Sequence, residues 1–104
     1  MADPAATFSA LGDPTRLAIV DRLAHSADCS IHELSADFPI SRQAMSKHLR
    51  VLEQARIVRS GRFGREVRFR LEQAELERAQ AFLGRVAAQW QGALHRLAKH
   101  LDSD

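Results

Sequence analysis

A chain of 104 residues has room for one domain with a single modest core. Its one cysteine excludes an internal disulfide and a cage of thiolates, and no apolar run approaches the ~18–20 residues that span a bilayer. The formal charge is only +2, yet residues 41–70 carry nine cations against two acids, a net +7. Residues 1–40 hold two cations against six acids (−4), and residues 71–104 four against five (−1). A basic middle between acidic flanks is the electrostatic footprint of a face that binds a polyanion. The cations are mostly arginine, which suits forked contacts to phosphate and guanine. Met1-Ala2-Asp3-Pro4 has neither the basic nor the apolar region of a signal peptide, so a soluble cytoplasmic protein is expected.

In chain order, Ala5–Leu11 predicts a short helix with Phe8 and Leu11 on one face, stopped by Gly12. Asp13-Pro14 is a restart signal, an N-cap acid followed by proline at the first helical position. The helix from Pro14 to about His25 is expected to bury Leu17, Val20, Leu23 and Ala24 or their neighbours, and Ser26-Ala27-Asp28 is a connector. Ser30 with Glu33 three residues on is a capping box, opening a short helix to Asp37 or Phe38. Phe38-Pro39-Ile40 is then the turn into a helix over 41–54, with Ser41 as its N-cap.

That helix is the most informative stretch. Met45, Leu49 and Leu52 recur at steps of four and three and share one face. Arg42, Gln43, Ser46, Lys47 and Arg50 fall on the other, with no acid before Glu53. Long cationic and amide side chains on an exposed helix face supply phosphate-neutralising charge and donors for base edges in a major groove. Two short helices joined by a tight turn, the second basic, make a helix-turn-helix. His48 has two readings: it donates to DNA, or it bonds a backbone group and anchors the helix.

After Ile57-Val58 the period changes to two. Val67, Phe69 and Leu71 alternate with Glu66, Arg68 and Arg70, and the run Ser60-Gly61-Arg62-Phe63-Gly64-Arg65 before them has two glycines at a basic tip. Residues 57–71 therefore predict a β-hairpin wing with a cationic loop. From Gln73 to Leu101 one long helix is expected, its apolar stripe running through Leu76, Ala79, Leu83, Val86, Trp90, Leu94, Leu97 and Leu101. At 1.5 Å per residue it spans roughly 40 Å, more than a small core can cover, so a second copy is the expected partner. The fold class is thus mainly α with a β-hairpin: one winged helix-turn-helix domain over 1–104 with a long C-terminal dimerisation helix at 73–101. The expected DNA contacts are Ser41, Arg42, Gln43, Ser46, Lys47, His48, Arg50, Arg62 and Arg65. The expected dimer contacts are Phe8, Leu11, Leu83, Val86, Trp90, Leu94, Leu97 and Leu101.

The strings Leu11-Gly12-Asp13-Pro14-Thr15-Arg16-Leu17 and Ser46-Lys47-His48-Leu49-Arg50-Val51-Leu52, with Gly64-Arg65 before the alternating strand, resemble the ArsR-type (ArsR/SmtB) winged-helix regulators over residues 7–72. The resemblance implies a homodimeric transcriptional regulator, usually a repressor of its own operon, whose first and last helices form the dimer interface and whose partner is double-stranded operator DNA. Many members sense metal through two cysteines separated by one residue on the helix before the recognition helix. Aligning Leu34 puts Ser30 and His32 there, with Cys29 one residue off. A second family site on the last helix needs an Asp-x-His pair, which residues 73–101 lack, and His95 and His100 lie some 140° apart on a helix. No metal site and no cofactor are expected. No phosphate loop, nucleophile–base pair or carboxylate cluster suggests an enzyme, and Asp21 and Asp28 are expected on solvated faces. Two alternatives stay open: a repressor gated through the Cys29 thiol or a pocket between the long helices, and a winged helix that binds protein partners.

Overall fold

The computed structural model describes residues 3–102, which form five helices and three short strands. α1 (Pro4–Leu11) is capped by Asp3, whose carboxylate accepts from the Ala5 N–H at 3.2 Å. It stops at Gly12, and α2 (Pro14–Ala24) starts at once because Asp13 accepts from the N–H groups of Thr15 and Arg16 at 3.0 and 3.1 Å. The capping box closes as its sequence dictates: Ser30 Oγ accepts from the Glu33 N–H at 3.1 Å, and Glu33 Oε1 accepts from the Ser30 N–H at 3.2 Å. These bonds open α3 (Ile31–Asp37), and Ser41 opens α4 (Arg42–Gln54) by accepting from the Ala44 N–H at 3.1 Å.

Arg56 leaves α4 with φ at +62°, in the left-handed region that reverses the chain after a helix. Fully buried Ile57 then leads into β2 (Val58–Phe63), which pairs antiparallel with β3 (Glu66–Leu71). Only Gly64-Arg65 lie between them, with Gly64 at φ +62°, as a two-residue hairpin turn requires at its first position. The basic tip is therefore shorter than the sequence suggested. Arg62 lies in β2 opposite Val67, not in the loop.

A third strand, β1 (Cys29–Ser30), joins the other side of β3, giving the order β1-β3-β2. Sequence alone placed nothing regular there. Two residues are too few to show alternation, and the pairings Cys29↔Phe69 and Ser30↔Arg68 are forty and thirty-eight residues long in sequence. The core is Ala10, Ile19, Leu23, Cys29, Leu34, Met45, Leu49, Leu52, Ala55, Ile57, Val58 and Phe69. On α2, Ile19 and Leu23 point inward, Val20 is half-buried and Ala24 is exposed. Leu17 is 55% exposed, contrary to expectation, because the side of α2 that meets α4 and β3 is one residue-step round the helix. On β3 only Phe69 is buried; Val67 is exposed.

α5 (Gln73–Asp102) packs on α1 through its first turns only. Glu75 and Ala79 are buried, and Phe82 meets Phe8 with ring centroids 5.8 Å apart. Beyond Phe82 the helix leaves the domain, giving the protomer its 69 Å long axis. Leu83, Val86, Trp90, Leu94, Leu97 and Leu101 are all exposed, Trp90 by 64%. Phe8 and Leu11 are half-buried, Phe8 against Phe82 and Leu11 against the core. No helix among the described residues is long and apolar enough to cross a membrane.

Candidate nucleic-acid interface

α4 is held from beneath by Met45, Leu49 and Leu52, all buried. At 100° per residue, Arg42, Gln43, Ser46, Lys47 and Arg50 occupy a sector of about 140° on the opposite side. Arg42, Gln43, Lys47 and Arg50 are exposed and Ser46 is half-buried. Ser41 lies at the helix start, its hydroxyl engaged as the cap.

His48 falls on the side of α4 away from that sector. Its Nδ1 is 3.5 Å from Arg16 Nη1 and 3.9 Å from Asp13 Oδ2, and its side chain is only 22% exposed. The structure thus separates His48 from the other expected DNA contacts. It anchors the helix as the second sequence reading held, through side chains and not through a backbone group. Arg16 completes this junction by donating from Nε to the Ala10 carbonyl at 2.6 Å. The Gly12-Asp13-Pro14-Thr15-Arg16 string is therefore a corner: it ends α1, caps α2, and braces α4. The backbone N–H of Arg16, then the charges of Arg16 and His48, hold the Asp13 carboxyl below its ordinary range.

The arginines of the basic middle divide into two sets. Arg68 donates from Nε to Asp28 Oδ1 at 2.5 Å and from Nη1 to Glu66 at 2.8 Å, and lies 2.9 Å from Glu33. It also donates to the Asp28 carbonyl at 3.3 Å. These hydrogen bonds raise the Arg68 pKa further above its usual value, and Glu33 is lowered by Ser30 and then by Arg68. Asp28 is accordingly an ion-pair partner and not the free solvated carboxylate expected. Arg59 is likewise paired, with Glu72 at 3.3 Å. By contrast Lys47, Arg50, Arg62 and Arg65 form no ion pair among the described residues, and all four are exposed. Sequence reasoning could count these cations but not sort them, because the acids that neutralise Arg68 include residues 28 and 33.

Arg42 has one partner among the described residues: its Nη2 lies 2.8 Å from His32 Nδ1 on α3. Both side chains line a cleft of about 400 Å³ between α3, α4 and the wing, shared with Ser46 and Arg65. The other possible ligands lie apart. Cys29 is 1% exposed, with Sγ 3.3 Å from Ser26 Oγ, and Ser30 is committed to its capping box. Among the described residues no three His, Cys, Asp or Glu side chains are grouped to hold a metal ion.

A helix-turn-helix domain family matches residues 11–61. A helix-turn-helix-type transcriptional regulator of Mycobacterium tuberculosis is 39% identical over 101 residues, spanning 97% of this chain and 91% of the relative. Among solved structures, an ArsR-like transcriptional regulator from Rhodococcus sp. RHA1 superposes with a TM-score of 0.80 at 38% identity, over 90% of this chain and 88% of that one. The chain belongs to the ArsR/SmtB family of winged helix-turn-helix regulators. The fold is also that of a homodimeric winged helix-turn-helix DNA-binding domain from Mycobacterium bovis, with a TM-score of 0.66 at 24% identity over 82% of this chain and 78% of that one. This ArsR-type chain is accordingly a DNA-binding transcriptional regulator, a non-enzymatic class. In this winged helix-turn-helix fold, α3 and α4 are the helix-turn-helix pair and the β2–β3 hairpin is the wing.

Proposed function

We propose that the protein is a homodimeric repressor of its own operon. The observation that carries the reading is a set of exposed cations with no ion pair among the described residues, Lys47 and Arg50 on α4 and Arg62 and Arg65 on the wing, with Arg42 and Arg65 lining one cleft. Arg42, Gln43, Ser46 and Lys47 contact base edges and adjacent phosphates in the major groove, with Ser41 at the groove edge. Arg50, Arg62 and Arg65 neutralise backbone phosphates. His48 positions α4 from behind.

The exposed stripe on α5 supports the dimer. Six large apolar residues over Leu83–Leu101 have no cover in the protomer, and the homologous fold in Mycobacterium bovis is homodimeric. An isologous pair through Trp90 and its neighbours buries this stripe, with the accessible parts of Phe8 and Leu11 on α1 adding to the interface. Two recognition helices about one turn of duplex apart then read a two-fold site.

Metal does not gate this repressor in our reading. Ser30 and His32 stand where thiolates would be needed, and both are engaged in other hydrogen bonds. The thiol-gated alternative is disfavoured by the burial of Cys29, since a sensor thiol must meet its oxidant. Titrating the protein with its own upstream duplex in the presence and absence of zinc and peroxide tests all three parts. Specific two-fold binding indifferent to both additions is expected; affinity that changes with either removes the ungated reading.

A further inference from the structure

His32 stands at a position where the family's metal sensors place a thiolate, and here its ring sits against Arg42, the first residue of α4. Nδ1 accepts from Arg42 Nη2 at 2.8 Å, which requires a neutral imidazole with its proton on Nε2. The backbone carrying that ring is fixed. His32 lies inside the capping box of Ser30 and Glu33, and Glu33 is also held by Arg68 on the wing strand. Arg42 has the opposite character, a long exposed side chain at the first position of α4 that has many rotamers to lose when it docks. An acceptor on a rigid turn removes much of that freedom in advance. One guanidinium N–H is used, and four remain for a base edge or a phosphate. The charged groups around the pair are Arg65 and Glu66 from the wing and Glu33, next to His32 on α3, both glutamates being already paired with Arg68.

We propose that His32 is a positioning residue for operator recognition, its imidazole holding the Arg42 guanidinium in the geometry in which it reads a base. This rests on the reading of Arg42 as a base contact. It makes α3 part of the specificity apparatus and not only a support for α4.

The test starts with wild-type protein and a random-sequence duplex library, to select a bound site. Affinities are then measured by fluorescence anisotropy on that site and its single-base variants for wild type, His32→Ala, His32→Asn, Arg42→Ala and the double variant His32→Ala/Arg42→Ala. Arg42→Ala should flatten preference at one position of each half-site. His32→Ala should reduce discrimination at that same position by about threefold to tenfold, the scale of one lost hydrogen bond. His32→Asn, whose amide oxygen can accept, should restore most of it. The double variant should be no worse than Arg42→Ala alone, and the salt dependence of the His32 variants should match wild type.

Wild-type discrimination by His32→Ala, or losses that add in the double variant, would overturn the proposal. So would tighter binding by His32→Ala, which would mean the pair holds Arg42 away from DNA. If Arg42→Ala itself leaves preference unchanged, the base-reading assignment fails and His32 falls with it. Sensitivity to Arg42 with indifference to His32 defeats the positioning role alone.

Discussion

Two arginines three residues apart on the wing should behave differently in salt. Arg65 is exposed at the hairpin turn and has no ion pair among the described residues, whereas Arg68 is surrounded by Asp28, Glu33 and Glu66. Each phosphate neutralised releases counterions and contributes a slope of about −0.9 to log affinity against log salt. A dimer carrying Arg65→Ala loses two such contacts, so its slope should be shallower by about 1.8. Between 50 and 200 mM salt, wild type should then lose about twelvefold more affinity than the variant. Arg68→Gln should leave the slope within about 0.5 of wild type, because its charge is already spent on three carboxylates. It should instead lower the melting temperature, since it frees those acids and loosens β3 from β1 and α3. Fluorescence anisotropy at four salt concentrations, with thermal melts in parallel, reads both effects. An unchanged slope in Arg65→Ala, or a larger slope change in Arg68→Gln, would refute this division of the arginines.

Leu49, 1% exposed beneath the reading face, should cost about 2–5 kcal/mol when truncated to Ala, read by urea unfolding. Trp90 is the only tryptophan in the chain and is largely exposed on the protomer, so its emission should move to shorter wavelength as protein concentration rises. Leu94→Asp should abolish that shift and halve the mass seen by sedimentation. Asp13 and Glu33 have folded-state pKa values below their ordinary 3.8 and 4.5, so each binds protons more readily when unfolded. Their contribution is fully present above those ordinary values and is lost as pH falls through the lower folded ones. The melting temperature should therefore drop below about pH 4.5, and less steeply for Asp13→Asn, whose side chain can still cap α2. Arg56→Gly should stabilise by about 0.5–1 kcal/mol, because glycine adopts φ +62° without a Cβ penalty, partly offset by its unfolded-state entropy.

Most of the fold was legible because its signals are local. Caps at Asp13, Ser30 and Ser41 lie within three residues of what they satisfy, and the Met45–Leu49–Leu52 face of α4 follows from helix period alone. What was illegible is non-local. β1 exists only through its pairing with β3, and Leu17 faces outward because α4 and β3 decide which side of α2 is inside. The interface shows the same division. The outward sector of α4 could be read from sequence, but the neutralisation of Arg68, the bracing of His48 by Arg16, and the meeting of His32 with Arg42 all depend on residues ten to forty positions away. A charge count treats Arg65 and Arg68 alike; only the fold tells them apart.

The most direct test of the central claim is a titration of the purified protein onto its own upstream duplex, against a scrambled duplex of equal length, at two salt concentrations with footprinting. The account predicts tight, salt-sensitive binding to the upstream duplex, binding weaker by about a thousandfold or more to the scrambled one on the ordinary scale of specific recognition, and a two-fold protected site. Equal affinity for both duplexes would contradict autoregulation, and no binding even at low salt would contradict the assignment of α4 and the wing as a DNA-reading surface.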